Sequence, residues 1–310
     1  MPAIRAGMDW DTWIRQHLTE PKIRSAPAIL NVLMGGKPGR FDRSRMMVGL
    51  RQLLSDVQLR RRRSDVLQDL PAKLSSTVYV ELPPRQRAVY RRAEREGLVR
   101  LSALGRDLRI THVLELILRL KQICNFCPES GESPKLSDLK ERLASIVATG
   151  EKALIFSQFV EEFFGARRLA RELAAFSPLL LTGDLDPILR ANRIAEFERD
   201  HRRPTMVISL RAGGVGLNLT SASRVFHFDR WWNPAVEAQA EDRTHRIGQS
   251  RPVHVYAYLC SDTIEERIEG ILSEKRALFA DVIDGVETAA LRRLDLDALL
   301  GVIKGKETAF

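Results

Sequence analysis

At 310 residues, 44% hydrophobic and 29% charged, the chain is long enough to bury a full core and to contain two structural units. No stretch reaches the roughly 18 to 20 uninterrupted apolar residues of a membrane span, and the leading MPAIRAGMDWDTW lacks the apolar centre of a secretory signal, so an intracellular protein without a membrane partner is expected. Three cysteines exclude a disulfide framework, and 49 Lys+Arg against 40 Asp+Glu leave a net +9 that suits an anionic partner.

In chain order, the part before residue 128 reads as mainly helical. Met46, Leu50, Leu53, Leu54 and Val57 recur at helical spacing, as do Val113, Leu114, Ile117, Leu118, Leu120 and Ile123. Eight arginines and two aspartates fall between Arg40 and Arg63, and eight more arginines between Arg85 and Arg109. Such runs suit either a solvated helical face or a phosphate-backbone partner, and charge alone leaves both open. Residues 77–82 alternate like a strand and run into Pro83-Pro84, after which a helix passes through Gln86, Val89 and Tyr90. Cys124 and Cys127 form a CxxC pair, but Cys260 is distant in sequence and no second pair exists. A structural zinc site wants about four ligands, so Cys124 reads as a packed residue and no metal site is expected. Residues 128–134, Pro-Glu-Ser-Gly-Glu-Ser-Pro, are the best linker candidate.

Beyond it the pattern changes. Apolar runs at 153–156, 179–181, 206–210, 225–228 and 253–259 are separated by helical stretches, one over 159–175 and one opening at Asp186-Pro187 as N-cap and first-turn proline. Short buried strands alternating with helices predict an α/β fold: a parallel sheet covered on both faces, with ligands at the carboxyl ends of the strands. Those ends read Ser157-Gln158, Thr182-Gly183-Asp184, Arg211-Ala212-Gly213-Gly214 and Asp229-Arg230.

Two segments carry chemistry. Asn233 and Pro234 open a helix expected to run to Gly248, with Gln239, Arg243 and Arg246 at i, i+4 and i+7 on one face. A glutamine and two guanidiniums aimed together suit planar binding of phosphate oxygens; a surface helix salt-bridged to Glu241 and Asp242 explains the spacing equally well. The loop Arg211-Ala212-Gly213-Gly214-Val215-Gly216-Leu217-Asn218 follows a strand, and its glycines allow close approach of backbone to a ligand, or simply a tight turn. No GxxxxGK[ST] and no Asp-Glu pair at a strand end are present, so the chain alone is not expected to hydrolyse ATP.

From about Leu53 to Gly285 these residues closely resemble the second RecA-like lobe of the SWI/SNF-type family of DNA translocases, within helicase superfamily two. The resemblance rests on Gln58-Leu59-Arg60-Arg61-Arg62-Arg63, Leu118-Arg119-Leu120-Lys121-Gln122-Ile123-Cys124-Asn125, Lys152 to Phe159 as motif IV, Ser209 to Thr220 as motif V, Trp232-Asn233-Pro234, and Gln239 to Gln249 as motif VI. It implies a RecA-like lobe at 135–285, a helical insertion and linker at 71–134, an arginine-rich segment leaving the first lobe at 1–70, and a tail at 286–310. The first lobe's motifs are missing, so the 310 residues look like a C-terminal part of a motor.

The same resemblance implies roles. Arg243 and Arg246 would be arginine fingers for ATP with Mg2+ held mainly by an N-terminal RecA-like lobe. Gln239, Gly214, Gly216 and Asn218 would couple nucleotide to DNA. Ser157, Gln158, Thr182, Gly183, Arg211 and Trp232 would line the backbone of double-stranded DNA, with Trp232 alternatively a core aromatic beside Trp231. The expected activity is ATP-dependent translocation that displaces a DNA-bound protein. A strand-separating helicase lobe, or a DNA-binding module without catalysis, are the rivals. The Trp231-Trp232 doublet resembles bacterial and archaeal members, which points to a prokaryotic nucleoid rather than a nucleus.

Overall fold

A computed structural model describes residues 70–210, 212, 217–231, 234–280 and 300–303. The chain divides into two compact units, 1–66 and 67–310, and the described residues belong to the second. The expected helix over 46–57 and the first arginine cluster lie outside them.

Six parallel strands form one sheet in the order β1-β6-β5-β2-β4-β3. They are β1 (Lys73–Val80), β2 (Ala153–Ser157), β3 (Leu179–Leu181), β4 (Thr205–Ser209), β5 (Arg224–His227) and β6 (Val253–Cys260). Alternation along each inner strand sends side chains to two separate cores. Leu154, Phe156, Met206, Ile208 and Val225 enter one, with Phe197 and Leu219. Ala153, Ile155, Val207 and Phe226 enter the other, with Leu139, Leu143 and Leu169. Because both faces are covered, the inner strands β2 and β4 are buried at every position, as near-continuous apolar runs predict.

The helices are α1 (Pro84–Ala103), α2 (Ile110–Asn125), α3 (Pro134–Ala148), α4 (Ala166–Glu172), α5 (Pro187–Arg199), α6 (Pro234–Glu241) and α7 (Ile264–Ala280). A third core packs Val89, Tyr90, Val113, Ile117, Leu120 and Cys124 from α1 and α2 against Ile264 and Ile268 of α7 and against Val302 and Ile303. No helix among the described residues is long and apolar enough to cross a membrane.

Three segments differ from the sequence expectation. The strand read at 77–82 begins earlier and pairs in parallel with β6, Lys73 opposite Val253, so the mainly helical region supplies an edge strand of the sheet. The helix expected over 159–175 shrinks to α4. Gly165 is packed so tightly that a Cβ there would lie 2.5 Å from the Phe159 carbonyl carbon, and residues 159–165 fold back instead, with the Ala166 N–H bonded to the Phe159 carbonyl. The linker candidate is a tied turn: Gly131 takes φ +76°, the Cys127 N–H donates to the Glu132 carbonyl, and Ser133 caps α3 by accepting from the Leu136 N–H.

Two lysines are committed inside. Lys152, just before β2, is buried and donates to the Phe197 and Asp200 carbonyls, closing the C-terminus of α5. Lys135 lies fully buried 2.7 Å from the Glu265 carboxylate, which also accepts from the Cys260 N–H. Breaking such a pair leaves one charge stranded in the core. Lys135→Met should therefore destabilise the chain by about 3–5 kcal/mol, and adding Glu265→Leu should recover part of the loss, as read by urea unfolding.

Candidate functional site

All strands being parallel, their carboxyl ends open onto one edge of the sheet. At the end of β2, the Ser157 hydroxyl donates to Asp229 Oδ2 at 2.6 Å and accepts from the Phe159 N–H, while Asp229 Oδ1 accepts from the Gln158 N–H at 2.7 Å. Ser157, expected at a nucleic-acid surface, is fully buried: its hydroxyl is turned inward to the Asp229 carboxylate and presents nothing outside. Gln158 is 8% exposed, and neither atom of its side-chain amide has a partner.

At the end of β3, Thr182 is buried and its side chain bonds Asp184. That bond, a backbone N–H and the neighbouring Arg167 hold the Asp184 carboxyl below its usual range. Arg167 pairs with it at 2.5 Å. Gly183 stands exposed, and a Cβ built on it meets nothing within 4 Å. After β4, Arg211, Gly214 and Gly216 lie outside the described residues, as does Trp232; Asn218 is exposed between buried Leu217 and Leu219.

The motif VI helix stops at Glu241, seven residues short of Gly248. Gln239 is exposed on α6, while Arg243 and Arg246 follow it in turns, so the three do not share one helix face. The reason lies in competing bonds. Glu241, the last residue of α6, is pinned by Lys73 at 2.6 Å and by His227 Nε2 at 3.2 Å. The Arg243 carbonyl is taken by the Leu219 N–H at 3.0 Å rather than by the next helical turn. Gly248 does adopt φ +101°, but it closes a turn, not a helix.

Gln249, which sequence reading left without a role, fastens the two motifs. Its amide nitrogen donates to the Thr220, Ala222 and Thr244 carbonyls at 3.1, 2.8 and 3.2 Å, and its oxygen accepts from the Arg251 N–H. A buried glutamine with both amide atoms bonded is a strong structural fastener. Its signal in sequence is only that it closes the Arg-Ile-Gly-Gln string.

Arg243 is 2% exposed, and its Nε and Nη1 have no hydrogen-bond partner. Burial depresses its pKa, the cations of Arg246 and Arg190 add to the effect, and Asp242 opposes them. Arg190, on α5, donates to the Ala212 carbonyl in motif V. Arg246 is half-buried, with Nε on the Asp242 carbonyl at 3.0 Å and Nη1 on that of Leu217 at 3.4 Å. The structure thus gathers three guanidiniums, two of them predicted, where motifs V and VI meet. His245 bonds the Pro71 carbonyl at 2.7 Å, a packing role.

Away from this edge, Cys124, Cys260 and Glu265 bring donor atoms within 4.8 Å of one another, a grouping invisible in the CxxC spacing. Burial, then the adjacent Cys260, pushes the Cys124 thiol up, and the Lys135 ammonium already sits on Glu265. A protonated thiol and a resident cation make poor terms for a metal ion.

The helicase conserved C-terminal domain model matches residues 134–248, and the SNF2-related domain model matches residues 7–128. The second match reaches well before Leu53, where the resemblance by motif begins. A Bacillus subtilis protein, YwqA, provisionally named an ATP-dependent helicase/translocase, is 37% identical over 79% of this chain and 28% of its own length. The Sulfolobus solfataricus SWI2/SNF2 ATPase C-terminal domain superposes with a TM-score of 0.55 at 30% identity, covering 72% of this chain and 98% of that one. The Sulfolobus solfataricus SWI2/SNF2 ATPase core in complex with dsDNA superposes with a TM-score of 0.59 at 29% identity, covering 89% of this chain and 58% of that one. The chain spans 22% to 28% of the length of the bacterial relatives it matches.

The Glu241 contacts have a pH signature. Burial by itself would raise this carboxyl, but the His227 bond and charge and then Lys73 outweigh it, lowering the pKa from its ordinary 4.5 to about 2. With the folded value below the unfolded one, the stabilisation is complete above pH 4.5 and is lost as pH falls toward 2. Its ceiling is about 3 kcal/mol. Glu241→Gln should remove it, flattening the acid limb of stability against pH measured by denaturant titration.

Proposed function

The chain belongs to the SWI/SNF-type family of helicase superfamily two, and on that premise we propose that it is the C-terminal motor lobe of an ATP-dependent translocase moving on double-stranded DNA. Arg243 carries the reading. A buried guanidinium with two unpartnered nitrogens, flanked by Arg190 and Arg246, is unfavourable until a polyanion completes it. Phosphate oxygens match the planar fork of such a group. ATP, which names among the relatives point to, supplies that phosphate when bound, and hydrolysis of its terminal phosphate is the chemistry it brings.

In this reading Arg243 and Arg246 are arginine fingers for a nucleotide held by an N-terminal RecA-like lobe. Arg246 needs only to exchange two carbonyl bonds to reach a phosphate, whereas Arg243 must first be uncovered. Among the described residues no cluster of carboxylates stands beside these arginines, so Mg2+ is assigned to the other lobe. Arg190 ties α5 to motif V, which makes the guanidinium group and the loop holding Gly214, Gly216 and Asn218 move together; Gln239, exposed on α6, completes this coupling set. The DNA side comprises Gln158, Thr182, Gly183, Arg211 and Trp232, with Ser157 holding the turn from within. Their contacts are to phosphate and sugar, so binding is independent of sequence. Residues 135–285 are the motor lobe, 71–134 its helical insertion, 1–70 the segment leaving the first lobe and 286–310 a tail. A protein bound to the DNA is the cargo displaced, and the motor works in the nucleoid.

The test is ATP hydrolysis by the full-length protein with and without duplex DNA. Stimulation by duplex without strand separation is expected; strand separation favours a helicase, and no stimulation a DNA-binding module. Arg246→Ala should lower stimulated turnover by about 10³-fold or more while leaving duplex affinity intact, and full turnover in this variant overturns the finger assignment. Gly183→Val, whose Cβ meets no protein atom within 4 Å, should leave the unfolding midpoint unchanged yet weaken duplex binding, read by fluorescence anisotropy. That affinity should fall steeply with added salt.

A further inference from the structure

The Asp229 carboxylate, at the end of β5, is the centre of a buried polar chain that the functional reading does not use. Besides Ser157 and the Gln158 N–H, its Oδ2 accepts from Asn125 Nδ2 at 2.9 Å. Asn125 ends α2, donates also to the Phe164 carbonyl, and through Oδ1 accepts from Lys135 at 3.2 Å. Lys135 continues to Glu265 at the start of α7. On the next residue after Asp229, the Arg230 carbonyl accepts from Lys121 of α2 at 2.6 Å, and the Arg230 guanidinium grips Glu237 of α6 through Nε at 2.9 and 3.0 Å. Every side chain in the direct shell of Asp229 is buried.

A carboxylate in such a place is held by its donors, and its donors are held by it. Here they come from two regions far apart in sequence: α2, in the helical segment before residue 128, and the turn after β2. The carboxylate thus joins that segment to the turn as one body. Gln158, in that turn, has its peptide fixed by Asp229 while its side-chain amide is left buried with both atoms unpartnered. Polar atoms in that condition call for a missing partner.

We propose that Asp229 is a positioning residue that sets the Gln158 amide to bind a phosphate oxygen of the nucleic-acid backbone, and that Asn125 keys the helical segment to that same turn. The proposal rests on the reading of this edge as the DNA side. The amide nitrogen is the donor to phosphate, and the covering side chains must part for the contact to form. No bond is made or broken; the effect is on affinity and on the coupling of DNA to turnover.

The test is a double-mutant cycle in the full chain, with Gln158→Ala, Asp229→Asn and the pair, and duplex affinity as readout. Each single change should weaken duplex binding about tenfold, the worth of one hydrogen bond to a charged group, and the pair should be no weaker than the worse single variant. Ser157→Ala, which removes one bond to Asp229 and little volume, should show the same non-additivity if Asp229→Asn fails to fold. Losses that multiply in the pair overturn the positioning role. So does a normal affinity in both Asp229→Asn and Ser157→Ala when Gln158→Ala is impaired. If Gln158→Ala binds duplex normally while Gly183→Val is impaired, the DNA side stands and this inference falls. If neither is impaired, the DNA reading itself falls.

Discussion

A sheet of parallel strands buried on both faces leaves its polar chemistry one place to go, the edge where the strands end. In this chain the inner strands have no exposed position, and two apolar layers account for nearly every side chain they carry. Ser157, Thr182 and Asp229 all sit at strand ends, and the motif V loop follows directly on β4. The charged groups that do reach the edge, Arg190, Arg243 and Arg246, arrive from helices and turns outside the sheet.

What holds those arginines in place is mostly uncharged. The Gln249 amide binds the Thr220, Ala222 and Thr244 carbonyls where motifs V and VI meet, and the Leu219 N–H takes the Arg243 carbonyl. Glu241 supplies an ionic anchor, reaching across to β1 and β5. Cations are therefore concentrated on a frame of backbone hydrogen bonds.

Much of this was legible in the sequence. The apolar runs at 153–156 and 206–210 fall on β2 and β4, and the Asp186-Pro187 cap opens α5 where the pairing of those residues predicts. The site residues were legible as types but not as postures. Spacing put Gln239, Arg243 and Arg246 on one helical face, and could not show that Glu241 would be anchored by Lys73, more than half the chain away. Ser157 reads as a surface serine at a strand end, because nothing local reveals the Asp229 carboxylate behind it. The same limit hid Lys135 and Lys152, whose burial depends on partners supplied by other elements. Periodicity records which side a residue faces; it carries no information on what a distant segment brings to meet it.

The pairing of β1 with β6 bears on how the chain is made. β1 leaves the ribosome before α1, α2 and every other strand of its sheet, yet its partner is the last strand to emerge. Until Val253–Cys260 is synthesised, a strand carrying exposed Leu74 and Tyr79 lacks its partner among the described strands. Contacts so distant in sequence close late and slowly. During that interval the edge is open to pairing with another chain, a hazard that the lysine at its first position helps to blunt.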